Sequence, residues 1–190
     1  MGAGIFAALF LLIYSCSIYK QAAELKTFSQ CTFTVNNIKV QSIAGVDVSN
    51  VEKFTDLPLN DYLTLAQQAF SKDIPSVIAI KLNVYNPSDK TASVSGLDWE
   101  MYLKDELYST GVINKSVQVL PKGNSVFEVI ADINFKDIIH SQSLPQLLKL
   151  IIEKNEHLNL SDLEAVVRIK PWYLSGKSIK KYPGFIRIKL

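Results

Sequence analysis

From Val77 to Tyr85 the apolar side chains fall on every second residue, with Ile78, Ile80, Leu82 and Val84 on one side and Ala79, Lys81, Asn83 and Tyr85 on the other. A period of two turns one face to a core and predicts a half-buried strand, ended by Asn86-Pro87-Ser88-Asp89 as a turn. The pattern returns at Leu97, Trp99, Met101 and Leu103, opposite Asp98, Glu100, Tyr102 and Lys104. Val117 and Val119 predict a short strand before the Pro121-Lys122-Gly123-Asn124 turn. Beyond it Phe127, Val129, Ala131, Ile133 and Phe135 line a long strand. These two segments are expected to form an antiparallel hairpin. Later strands are expected over Leu163 to Lys170 and over Ile186 to Leu190, and an earlier one over Cys31 to Val40, with a bulge at Asn36-Asn37 and a resumption around Ile43 to Val48.

Helical spacing interrupts this rhythm twice. Asn60 or Asp61 is a candidate cap for a helix carrying Leu63, Leu65, Ala66, Ala69 and Phe70. A second helical stretch runs from about Asn134 to Asn155, divided at Pro145 with Ser143 as a cap. Short strands, polar turns and no βαβ rhythm predict a mostly β chain, a β-sandwich with Greek-key connections and one or two added helices.

The first residues break the pattern. Gly4 to Tyr14 is uncharged and apolar, and Ser15 and Cys16 follow it. Eleven residues make a helix of about 17 Å, short of the roughly 20 residues a bilayer crossing needs. A processed export signal fits that length. Leu12-Ile13-Tyr14-Ser15-Cys16 resembles the lipobox of bacterial lipoproteins, in which the cysteine is acylated and becomes the first residue of the mature chain. The expected organisation is a signal over 1–15, a tether over 16–29 and a folded domain over 30–190. The alternatives are an uncleaved signal anchor and a buried first segment, since Tyr14 is bulky for its place and no Lys or Arg precedes the run. Ser17 after the cysteine is compatible with sorting to the outer membrane, facing the periplasm.

Composition narrows the chemistry. Apolar residues make up 48% of the chain, enough to bury a core and to exclude disorder of the main body. Lys and Arg number 20 against 18 Asp and Glu, so the whole-molecule field gives no reason to expect nucleic acid as a partner. Cys16 and Cys31 are read as two different things rather than a disulfide. His140 and His157 have no nucleophile elbow nearby, and Asp47, Asp56 and Asp61 read as surface acids, so no catalytic residue, metal site or cofactor is expected.

The stretch from Val77 through Asn86-Pro87-Ser88, followed by Val94-Ser95-Gly96-Leu97-Asp98-Trp99-Glu100-Met101-Tyr102-Leu103, resembles the late embryogenesis abundant type 2 family, with its LEA14-like and water-stress-and-hypersensitive-response domains. The resemblance covers roughly Val35 to Leu190. It places Asn86, Pro87, Gly96, Trp99 and Gly111 in the family pattern, with Gly111-Val112-Ile113 as a glycine turn. It implies an immunoglobulin-like or fibronectin-like sandwich, no enzyme activity and an association with stress. Bacterial relatives of this kind are often exported or lipid-anchored.

The functional expectation is a noncatalytic domain of the bacterial cell envelope, held by a lipid on Cys16, that binds or stabilises an envelope protein or lipid. The alternative is a carrier of lipid or another small hydrophobic molecule, with an apolar helix over Leu144 to Ile152 covering a cavity. Trp172, Tyr173, Lys177, Lys180, Lys181 and Tyr182 combine charge with aromatic rings and are the candidate contacts for a membrane or partner.

Overall fold

The computed structural model describes residues 19–68, 70–138, 164–175 and 178–190. Residues 19–28 form a helix, α1. Strands follow at Thr32–Ile43 (β1) and Val46–Asp47 (β2), then a 3-10 turn at Phe54–Asp56 and a helix at Leu59–Gln68 (α2). The body continues through β3 (Pro75–Tyr85), β4 (Ala92–Val94), β5 (Gly96–Leu103), β6 (Glu106–Ile113), β7 (Val117–Val119) and β8 (Asn124–Asn134). A short helix α3 (Phe135–Ile138) precedes β9 (Val166–Ser175), β10 (Ser178–Lys181) and β11 (Ile186–Lys189).

The fold is a mostly β domain of two main sheets and a small two-stranded one, β4-β7. One main sheet runs in the order β2-β1-β3-β8 and the other β10-β9-β5-β6, with β11 also on β9. Each pairing is antiparallel. At the sheet edges β11 lies beside β1 and β6 beside β8, so the sheets curl toward each other in a partly barrel-like outline. Between them the alternating apolar faces interdigitate: Ile78, Ile80, Leu82 and Val84 from β3, Leu97 and Met101 from β5, Val129 and Ala131 from β8, Val167 and Ile169 from β9, all buried. The period of two found these faces because each strand buries only one of them.

The bulge expected at Asn36-Asn37 is present as a register shift between Val35 and Asn37. Other pairings depart from expectation. Val117–Val119 does not pair with the strand that follows; β7 pairs β4, and β8 pairs β3 along its full length. The turn at 120–123 therefore carries the chain out of the small β4–β7 sheet rather than closing a hairpin. Gly111 lies inside β6, opposite Trp99, and is not a turn. In α2 Asn60 and Asp61 sit in the first turn, Leu65 alone is buried, and Leu63 and Phe70 stand in solvent, Phe70 at 93% exposure.

The stretch expected to be a tether is helical from residue 19. Ala, Gln, Glu, Leu and Lys in this segment favour the helix, and Lys20 pairs with Glu24 one turn on, at 3.8 Å. Leu25 and Phe28 share one face and enter the core, where the Phe28 ring meets Phe33 edge-on at 5.4 Å. Two large apolar residues are too few to raise a periodic signal, yet they anchor the helix. Residues 19–28 of the segment expected to be a tether are therefore part of the folded body. Cys16 itself lies outside the described residues, as does most of the helical stretch expected from Asn134 to Asn155.

Candidate functional site

The Asn86-Pro87 turn is built around one buried amide. Asn86 Nδ2 donates to the carbonyls of Lys90 (2.8 Å), Val119 (3.2 Å) and Leu120 (3.2 Å), while its Oδ1 accepts from the Ser88 backbone N–H at 3.0 Å. Its own backbone N–H donates to Gly123 at 3.0 Å. One side chain thus ties the β3–β4 loop to the β7–β8 turn. Pro87, lacking a donor, ends the β3 ladder. A comparable knot at the far end joins β6, β8 and the chain before β3: Asn134 Oδ1 accepts from Ile74 N–H at 2.9 Å, and the Asn134 N–H donates to the Tyr108 hydroxyl at 2.7 Å. Nothing in the sequence spacing announced that knot, because its members lie far apart in the chain.

Two glycines each lie under a tryptophan across the sheet. Trp99 sits opposite Gly111, and a Cβ on that glycine would lie 2.5 Å from the indole. Gly96 sits opposite Trp172 and would clash with its ring at 2.4 Å and with the Ile113 carbonyl at 2.5 Å. The family-pattern residues Gly96, Trp99 and Gly111 are thereby brought into two cross-strand pairs, one of which recruits Trp172. With 6% exposure, Trp172 is packing rather than contact surface. Tyr173 packs partly against the core, as does Tyr182. Lys180 and Lys181 are exposed on β10, Lys181 in an ion pair with Asp98; Lys177 lies outside the described residues.

Two of the surface clefts are lined by described residues. One of about 590 Å³ lies between the start of β8 and the β6–β7 bend, lined by Lys81, Ile113, Lys115, Val117, Phe127 and Glu128 among others. Another of about 310 Å³ separates α1 from the β3–β4 loop, with Lys20, Glu24, Lys90 and Thr91 in its walls. Among the described residues no three His, Cys, Asp or Glu side chains group to hold a metal ion, and no helix is long and apolar enough to cross a membrane. His140 and His157 lie outside those residues.

The shifted titrations are local. Burial pushes the Cys31 thiol up to about 11, and its Sγ–H donates to the Thr27 carbonyl at 3.6 Å. That thiol stays protonated near neutrality, which suits a core side chain and not a nucleophile. Asp47 is lowered by hydrogen bonds from Ser49, and Tyr102 is raised by its bond to Glu100. None of these groups converges with another on a shared point.

No family model matches the chain, and no curated protein matches it. Solved structures overlap it at low similarity. A crystal structure of a protein from Archaeoglobus fulgidus is 17% identical over 61% of this chain and 84% of its own, with a TM-score of 0.32. A protein of Arabidopsis thaliana solved in solution is 10% identical over 84% of both chains, with a TM-score of 0.33. A crystal structure of a Bordetella pertussis protein is 8% identical over 84% of this chain and 89% of its own, at 0.34. At these scores no property passes from one chain to the other.

Proposed function

We propose that this chain is a noncatalytic domain of the bacterial cell envelope, lipid-anchored at Cys16, that binds or stabilises an envelope component. The observation behind it is the apolar run that ends in Leu12-Ile13-Tyr14-Ser15-Cys16, ahead of a folded body whose first β-strand begins at Thr32. An acylated Cys16 would tether that body to the bilayer. Two or three acyl chains give stable attachment where one gives only a reversible hold.

The fold is proposed to be of the immunoglobulin-like or fibronectin-like Greek-key kind and the chain a relative of the late embryogenesis abundant type 2 proteins. Supporting this, β1, β3 and β8 make one sheet while β5, β6, β9 and the β10–β11 edge make the other, so the chain crosses between layers after β3, back after β6 and again after β8. Asn86 and the glycine–tryptophan pairs give the quoted motif a packing role that needs no ligand.

Replacing Cys16 with Ser tests the anchor. Lipid labelling and membrane retention should both be lost, whereas unchanged labelling and retention would reject it. The carrier reading has less behind it: side chains from both sheets fill the space between them, and the larger cleft has charged and polar residues in its wall.

A further inference from the structure

The helix α2 turns most of its apolar residues away from the core. Leu59, Tyr62, Leu63 and Ala66 follow one another at the three- and four-residue steps that line up one stripe of a helix. In a surface helix such a stripe ordinarily faces the body. In α2 the buried residue is Leu65, which joins the core cluster beside β2. Leu59 and Leu63 lie about 120° and 160° round the helix from it. They stand in water, Leu59 at 72% exposure and Leu63 at 48%, and Tyr62 is exposed as well. The same spacing reaches Phe70, whose backbone N–H donates to the Gln67 carbonyl at 3.3 Å and continues the helical turn.

The size and the chemistry of this stripe narrow what covers it. Leu59, Tyr62, Leu63 and Phe70 together leave roughly 400–500 Å² of apolar surface in water, the size of the largest patch on an ordinary monomer. Two such stripes face to face bury about 1,000 Å², the threshold of a biological interface and the range of reversible ones. The sole charge of α2 is Asp61, half-buried on the side of Leu65, so two copies of the helix meet without opposing like charges. A helix that lies in an anionic lipid surface carries Lys and Arg beside its apolar face. The exposed flank of α2 is instead Asn60, Thr64 and Gln67, an uncharged rim of the kind that surrounds a protein interface.

An antiparallel pairing about a two-fold axis fits these side chains. With the axis between Leu63 and Ala66, Leu63 of one copy faces the other copy's Ala66, and Phe70 faces the other copy's Leu59, each contact occurring twice. Ala66 is small and leaves room for the leucine. Each helix N-terminus also comes beside the other's C-terminus, which the helix dipoles favour.

We infer that α2 is a self-association surface, through which two copies of this chain pair reversibly, helix against helix. The pairing is independent of how the N-terminus is held.

The test uses the full chain in intact cells and a membrane-permeant bismaleimide whose span matches the roughly 8–10 Å between packed helix axes. Leu63→Cys places a thiol in the stripe, Glu106→Cys places one on the exposed start of β6, and the unchanged chain reports the background from Cys16 and Cys31. Leu63→Cys should give a product of twice the chain mass, well above both controls. Adding Phe70→Glu should cut that yield about 5-fold or more, the loss expected when an aromatic anchor is removed from an interface. Leu59→Glu, at the other end of the stripe, should do the same. Both sites are exposed in the single chain, so the urea midpoint should stay that of the parent. Equal yields at Leu63 and Glu106, or a yield indifferent to both glutamates, would overturn the pairing. So would a Leu63→Cys product whose mass shows a different protein in the cross-link.

Discussion

Asn86, itself fully buried, directs its amide at three carbonyls and accepts from Ser88 N–H through its side-chain oxygen, and the bond to Val119 is buried. Truncation leaves those carbonyls short of a donor, and each buried unsatisfied group costs about 1–3 kcal/mol. Asn86→Ala should therefore lower the unfolding free energy by about 2–3 kcal/mol in a urea titration. Asn86→Asp should cost more, because a carboxylate would face carbonyl oxygens. A loss below about 0.5 kcal/mol, the level of an ordinary surface change, would contradict the role given to this side chain. Cys31 makes a pH prediction. Its thiol pKa is raised from an ordinary value of 9.0 to about 11 in the fold, so the folded chain holds its proton more tightly than the unfolded one. The corresponding stability is fully present below pH 9 and lost as pH climbs through about 11. Replacing Cys31 with Ala should flatten that part of the stability profile, while a profile of unchanged slope would show that another group sets it. The turn-forming use of Asn-Pro was legible because proline cannot extend a ladder. The amide's partners at Val119 and Leu120 were not, since they lie 33 and 34 residues away.

Strand faces were readable because one-sided burial leaves a period of two, and β3, β5 and β8 carry it without interruption. Pairing was less readable. Adjacency in the chain favours hairpins, and it suggested β7 with β8; β3 instead takes β8, since their matched length of 11 residues buries one continuous face. β6 gave no signal because Leu107 and Val112 face outward while Gly111 sits at a core-facing position. That glycine is legible only with its partner: the indole of Trp99 occupies the space a side chain would need. Gly111→Ala should destabilise by about 1–3 kcal/mol through overpacking. Shrinking the ring with Trp99→Phe should absorb part of that cost, giving a coupling of at least about 0.5 kcal/mol in a double-mutant cycle of urea unfolding. Strict additivity would mean that the two residues do not press on each other. At Gly96 no such rescue is expected, because a backbone carbonyl as well as a ring closes the space.

At the scale of the whole molecule the net charge of +2 conceals a division between an acidic body and a basic C-terminal ribbon. A sum over the chain suggested weak steering, and along β9 Arg168 and Lys170 stand opposite Glu100 and Asp98 of β5. Trp172 and Tyr173, conspicuous in the sequence beside Lys170, are not open surface: Trp172 is buried against Gly96 and Tyr173 packs partly on the core, while Ile179 and Phe185 are exposed. The candidate contact was thus legible as a segment but not as a surface, since strand parity decides which side chains reach solvent. The tether shows the same limit, as Leu25 and Phe28 anchor residues 19–28 in the body. Everything proposed about attachment depends on Cys16. The intact mass of the protein extracted from its native membrane, with peptide mapping of its N-terminus, tests it most directly. A mature chain beginning at Cys16 and carrying acyl groups is the predicted species; an unmodified chain that retains Met1 would contradict the anchor and leave the β fold without its proposed address.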